Sequence, residues 1–103
     1  MARLNWTHQS IADLTNIANY IAKDSVRYAK STVAKIRLAT RQLIKYPLSG
    51  RKVPETDIET IREVFHGNYR IIYYIVSAEQ VDIITVHHSS KHLLSEGITK
   101  QVS

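Results

Sequence analysis

Apolar residues at Ile11, Leu14, Ile17 and Ile21 recur at three- and four-residue spacing, which predicts a helix with one buried face. Asp13, Asn16 and Asn19 point away from that stripe. Thr7 or Ser10 is the expected N-cap, since either hydroxyl can accept from an orphan backbone N–H. Residues 2–6, "ARLNW", precede it as a short strand ending in Trp6. Asp24 or Ser25 recaps the chain, and a second helix is expected over roughly 26–45. Its stripe is Val26, Ala29, Val33, Ile36 and Leu43, with Thr40 as a polar gap. Ala34 and Leu38 lie on a second side, so this helix is expected to touch two neighbours.

Pro47, Ser49 and Gly50 end that helix. The following loop, "GRKVPETDIE", reads as polar and mobile, the kind of segment that often carries function. From about Thr60 the period changes to two. "IREVFH" and "YRIIYYIV" flank Gly67-Asn68, a dipeptide suited to a two-residue hairpin turn. Ala78-Glu79-Gln80 makes the next turn, and "VDIITVHH" is the third strand of the meander. The tail "SSKHLLSEGITKQVS" is expected to start a short helix and then fray. The order β-α-α-β-β-β, helices first and antiparallel sheet last, predicts an α+β domain with a helical hairpin packed on the sheet. Ile71, Ile72, Ile83, Ile84 and Val86 are apolar on both sides of their strands. The helices should cover one sheet face, and the other needs cover too, a partner being a candidate for it.

The 103 residues suit one domain, with an ordered core over about 2–94 and a tail at 95–103. There is no cysteine, so disulfides and thiolate metal sites are excluded. The first residues show no apolar h-region and no stretch approaches membrane-span length, so a cytoplasmic protein with no membrane partner is expected. The formal net charge of +5 favours an anionic partner: nucleic acid, an acidic protein segment or a membrane surface. Basic residues crowd the solvent face of the second helix: Arg27, Lys30, Lys35, Arg37, Arg41 and Lys45. Arg41 and Lys45 also suit the negative end of its dipole.

Arg70 is the unusual core residue, a charge between Tyr69 and Ile71. Its planar fork can bind phosphate or carboxylate. With a two-residue turn, Phe65 sits opposite Arg70 and Glu63 lies diagonally on the same face, so a salt bridge to Glu63 or to a terminal acidic residue is the alternative. Tyr69, Tyr73 and Tyr74 read as core and interface aromatics before they read as base-stacking platforms. His8, His66, His87, His88 and His92 show no spacing that completes a metal site, and no metal or cofactor is expected.

The chain resembles the RelE/ParE superfamily of toxins from type II toxin–antitoxin systems, from Trp6 to about Leu93. The resemblance rests on the order and spacing of "WTHQSIADLTNIANYIA", "PLSGRKVPE", "IREVFHGNYRIIYYI" and "ITVHHSSKHL". It implies a cognate antitoxin, a toxin–antitoxin hetero-oligomer, and one of two targets. ParE-like members poison DNA gyrase, whereas RelE-like members cut mRNA on the ribosome. For an RNase, the resemblance implies Arg70 on the scissile phosphate, Glu55 as general base and His87 or His88 at the strand end, with Lys91 as a further cation. Many relatives carry a histidine followed by paired arginines there. Here His88-Ser89-Ser90-Lys91 keeps only Lys91, and no tyrosine follows Tyr74, a weak phosphate site for in-line cleavage. The leading expectation is therefore a ParE-like gyrase inhibitor without catalytic residues. The other readings are an mRNA endonuclease and an inactive homologue kept as an antitoxin-binding module. Target or antitoxin contacts are expected from Arg27, Lys30, Arg37, Arg41, Arg51, Lys52, Arg62, Arg70 and Lys91.

Overall fold

The computed structural model describes residues 1–89. The chain runs β1 (Arg3–Trp6), α1 (His8–Ala22), α2 (Val26–Ala39), α3 (Gln42–Lys45), a 3₁₀ turn at Pro47–Ser49, β2 (Arg51–Lys52), β3 (Ile61–His66), β4 (Tyr69–Ser77) and β5 (Gln80–His88). The strands form one sheet in the order β1-β5-β4-β3-β2. β1 lies parallel to β5, and the other pairings are antiparallel. This is the α+β class expected, with a fifth, two-residue strand inside the segment read as a loop.

The caps resolve two alternatives. Thr7 accepts from the Ser10 N–H and starts α1, and Ser25 accepts from the Tyr28 N–H and starts α2. Each hydroxyl satisfies one of the helix's orphan donors, a contribution of about 1 kcal/mol. The single long helix expected over 26–45 is broken at Thr40. The Thr40 hydroxyl donates to the Arg37 carbonyl at 2.7 Å and its N–H donates to the same oxygen at 3.1 Å. The next turns close by three-residue bonds, Leu43 N–H to Thr40 O and Ile44 N–H to Arg41 O. That tighter winding turns Leu43 fully into the core. Val26 and Leu38, both assigned to packing stripes, are 59% and 61% exposed. Ile11, placed on the buried face of α1, is also exposed.

Ile71 and Tyr73 of β4, Val81, Ile83 and Val86 of β5, and Val64 of β3 meet Leu14, Ile36 and Leu43 on the helix-covered side. On the other side Val53, Ile61, Ile72 and Ile84 form a second cluster with Ile58 and Tyr74 against it. The chain's own segment between β2 and β3 thus packs over the second face. That segment had read as mobile because its sequence is polar, but Val53 is 1% exposed and plugs the cluster.

Gly67 takes φ 55° while Asn68 stays at negative φ, as a type II′ turn requires. The turn puts Phe65 opposite Arg70 and Glu63 opposite Ile72. Gly50 is needed for a different reason. Tyr73 is fully buried, donates from its hydroxyl to the Pro47 carbonyl and accepts from the Gly50 N–H at 3.0 Å. A Cβ on Gly50 would stand 2.5 Å from that hydroxyl and 2.6 Å from the Glu63 carbonyl oxygen. Burial pushes the Tyr73 phenol above its ordinary range, against the Gly50 N–H, which pulls it down.

Candidate functional site

Pairing of β3 with β4 sets Glu63 diagonally beside Arg70 on the second sheet face. Arg70 Nε donates to Glu63 Oε1 at 2.8 Å. Its two terminal nitrogens donate to the two oxygens of Glu55, Nη1 to Oε2 at 2.7 Å and Nη2 to Oε1 at 2.8 Å. The fork therefore engages Glu55 in the bidentate geometry that makes arginine–carboxylate pairs strong. The Arg70, Glu55 and Glu63 side chains are 7%, 7% and 0% exposed. Hydrogen bonding to Glu55, with that to Glu63 behind it, holds the guanidinium above its ordinary value, against burial, which pulls it down.

Glu63 is shared. Its Oε2 accepts from Arg51 Nε at 2.5 Å, and the Arg51 guanidinium lies 5.0 Å above the Phe65 ring. Two arginines and two carboxylates thus form one neutral cluster. The formal charges of these four side chains cancel. Every proton Glu55 accepted would compete with a charge-assisted bond to Arg70.

His87 is the register partner of Arg70 on β5. His88 is exposed and meets Tyr69 edge-on at 5.7 Å. Both histidines line a groove of about 530 Å³ with Asn16, Tyr20 and Tyr69. The sheet thus brings Arg70, Glu55 and His87 into one region, but with the cation and the carboxylate spent on each other. Lys91 and His92 lie outside the described residues. Among the described residues no group of three His, Cys, Asp or Glu side chains is placed to hold a metal ion.

The basic residues assigned to partner contacts divide into two sets. Arg62 is tied to the fold: Nη1 donates to the Gly50 carbonyl at 2.9 Å and Nε to the Glu59 carbonyl at 3.2 Å. Lys52 pairs with Glu59 at 3.0 Å, which holds the Glu59 carboxyl below its usual range through that hydrogen bond. Arg27, Lys30, Arg37 and Arg41, by contrast, are exposed on the outer side of the α2 region. Arg37 lies 5.0 Å over the Trp6 ring. Between α1 and α2 runs a largely apolar groove of about 480 Å³ whose lining includes Ala18, Ala22, Val33 and Ala34 beside Lys30 and Arg37.

Asp13 was placed on the solvent side of α1. Its Oδ2 instead accepts from the Thr85 hydroxyl and from the Val86 N–H at 3.0 Å. The β4–β5 register shifts next to these residues, between Ile72 and Tyr73. A β-bulge interrupts the ladder, so an N–H there needs another acceptor. Sequence gives no sign of the bulge, which is why Asp13 read as a surface residue.

Comparison with known proteins fits this architecture. The family model described as "ParE toxin of type II toxin-antitoxin system, parDE" matches residues 4–93. Toxin RelE2 of Caulobacter vibrioides is 31% identical over 91 residues, covering 88% of this chain and 99% of that protein. The solved chromosomal ParDE system of P. aeruginosa contains a chain with TM-score 0.69 and 20% identity, covering 85% of this chain and 96% of that one. The RelBE2 toxin–antitoxin complex of Mycobacterium tuberculosis gives TM-score 0.57 at 22% identity, covering 87% and 93%. At these identities the structural likenesses bear on the fold, while the family model and the curated relative bear on descent. This chain belongs to the ParE toxin family, within the RelE/ParE superfamily of type II toxin–antitoxin toxins.

Proposed function

We propose that the chain is a toxin that inhibits growth by binding DNA gyrase, and that a cognate antitoxin neutralises it. The observation that carries the non-catalytic reading is the Arg70 cluster. Metal-free RNA cleavage needs a cation open to the phosphate and a base open to the 2′-hydroxyl. Arg70 is buried and fully engaged by Glu55 and Glu63, and Glu55 is the carboxylate on which the base role would fall. The apolar α1–α2 groove, bordered by Lys30 and Arg37, suits an acidic amphipathic segment that folds as it binds, which is the form the antitoxin would take. The likeness to chains from the ParDE and RelBE2 systems supports such a partner.

The test is a supercoiling assay with purified gyrase and ATP, scored for trapped cleaved DNA. The expected result is lost supercoiling with accumulation of cleaved DNA. The second reading is ribosome-dependent mRNA cleavage. It draws on the likeness to the Caulobacter RelE2 toxin and on the closeness of His87 to Arg70 in register. Cleavage of mRNA in a translating extract, with gyrase unaffected, establishes that reading and overturns the first. Protein that is folded, harmless to cells and still bound by its antitoxin would instead be an inactive homologue.

A further inference from the structure

From Ser25 to Pro54 the chain contains no acidic residue and eight of its 14 lysines and arginines. All eight are exposed. Arg27, Lys30, Lys35 and Arg37 stand on α2, and Arg41 and Lys45 follow on the segment after it. Arg51 and Lys52 of β2 pair with Glu63 and Glu59. Arg27, Lys30, Lys35 and Arg41 make no ion pair among the described residues. The molecule therefore neutralises its β2 cations internally and leaves those of the α2 region to solvent.

From this arrangement we infer that the outer face of α2 is a docking surface for the phosphate backbone of duplex DNA. The helix has 14 residues, about 21 Å of axis at 1.5 Å per residue. That length matches about six base pairs at 3.4 Å each. Arg27, Lys30 and Arg37 follow one another at three- and seven-residue spacing, so they share one side of the helix along about 15 Å. Lys35 and the half-exposed Tyr28 flank them on the other side of the exposed arc.

The same face is poorly suited to the alternatives. A second copy of this chain would set two acid-free basic faces against each other. A peptide that folds on binding must bury apolar surface to offset its ordering cost. The apolar lining for that lies in the α1–α2 groove, which Lys30 and Arg37 border, whereas the exposed apolar side chains of α2, Val26, Tyr28 and Leu38, are scattered around the helix and form no stripe. A duplex is already ordered, and counterion release supplies its binding free energy without apolar burial. This surface deepens the gyrase reading, because a gyrase poison acts where the enzyme holds DNA, but DNA binding by itself does not depend on that reading.

The experiment measures anisotropy of a short labelled duplex with purified protein across about 50 to 200 mM salt, a range over which three to four phosphate contacts lose roughly 100-fold in affinity. The triple variant Arg27→Glu/Lys30→Glu/Lys35→Glu keeps helix-favouring residues at exposed positions, and circular dichroism checks its fold. It should lose at least about 30-fold in affinity, consistent with three or so lost phosphate contacts. Arg3→Glu, a single exposed cation on β1 and not on α2, should cost far less affinity than the triple variant. Absence of binding at low salt, or equal binding by the folded triple variant, overturns the inference. A polyglutamate peptide of matched charge is the second probe. Saturable peptide binding without DNA binding assigns the face to an acidic protein and also overturns it. In the supercoiling assay the triple variant should accumulate less cleaved DNA than the parent. If the parent leaves gyrase untouched yet binds duplex through these residues, the target reading fails and the DNA surface stands.

Discussion

Glu55 and Arg70 lie fifteen residues apart in sequence and are joined by two parallel hydrogen bonds of 2.7 and 2.8 Å, each side chain 7% exposed. The pair pins the segment after β2 onto the second sheet face, beside the apolar plug of Val53. It also explains why a charge sits in the middle of a core strand. Two carboxylates reach Arg70 from a neighbouring strand and from a loop, and together they replace the water it lost.

Removing Glu55 leaves the buried Arg70 guanidinium with Glu63 and takes away the bidentate half of its compensation. Glu55→Ala should therefore cost about 3–5 kcal/mol of stability, and Glu55→Gln less, because an amide keeps one acceptor. Replacing both members, Glu55→Met with Arg70→Met, should recover only part of that loss, since apolar replacement of a buried pair is often neutral or better but buried Glu63 then keeps Arg51 without Arg70. Urea denaturation of the parent, Glu55→Met, Arg70→Met and the double variant gives the coupling directly. Purely additive single losses would show that the pair does not act as a unit. The double variant also separates the functional readings, since a binding toxin keeps its toxicity there and a nuclease does not.

Tyr73 controls the alkaline limit. Burial raises its folded-state pKa, so the unfolded chain releases that proton first as pH rises. Its contribution to stability is fully present below the unfolded phenol value, about pH 10, and is lost as pH climbs from there through the raised folded value. Stability should be insensitive to this group at neutral pH and fall above about pH 10. A spectrophotometric titration of the six tyrosines checks this. One phenol should ionise only together with unfolding, and the step should vanish in Tyr73→Phe.

The elements of the fold were legible because their signals are local. Thr7 and Ser25 are caps within three residues of their donors, and the Gly67-Asn68 turn set the register that placed Glu63 beside Arg70. What stayed hidden depends on contacts distant in sequence. Val53 and Ile58 looked like isolated apolar residues in a polar loop until Ile61, Ile72 and Ile84 were seen beneath them. The break of α2 at Thr40 depended on a side chain bonding back to Arg37, a choice that helical spacing does not register. In the candidate site, Glu63 was legible as a partner for Arg70 from the turn, whereas Glu55 read as a general base and only the folded chain brings both to one guanidinium.

Gly50→Ala should be among the more damaging single-methyl additions. The new Cβ would be 2.5 Å from the Tyr73 hydroxyl and 2.6 Å from the Glu63 carbonyl oxygen, and the second contact is backbone. The β2–β3 connection must shift to relieve it, at a cost of about 1–3 kcal/mol. Combining it with Tyr73→Phe should recover part of the loss, because the nearest of three clashing atoms is gone while the ring Cε1 at 2.8 Å and the Glu63 carbonyl oxygen remain. Denaturation midpoints of the single and double variants measure this. An unchanged midpoint for Gly50→Ala would mean that the 3₁₀ turn at Pro47–Ser49 yields freely.

Asp13 holds α1 to the irregular part of β5, and its loss should be felt at the sheet more than in the helix. The helix keeps its backbone bonds without the carboxylate and loses the exposed Gln9 Nε2–Asp13 Oδ1 bond at 2.9 Å, worth about 0.2–0.5 kcal/mol, and position 13 lies past the first turn, where a dipole contribution has faded. The Thr85 hydroxyl and the Val86 N–H, by contrast, lose their shared acceptor where water has little access, as Thr85 and Val86 are 2% and 3% exposed. Leaving such donors unpaired costs about 1–3 kcal/mol each, discounted where water enters the space left by the side chain. Asp13→Ala should therefore destabilise the fold by about 2–4 kcal/mol on that basis. Asp13→Asn, which keeps one acceptor oxygen, should retain roughly half of the difference. Amide hydrogen exchange is the more discriminating readout. The Val86 amide should lose protection well beyond the global change, while amides in the middle of α1 follow the global change alone. Equal loss along α1 and β5 would mean that Asp13 stabilises the helix itself and that the bulge is held by other means.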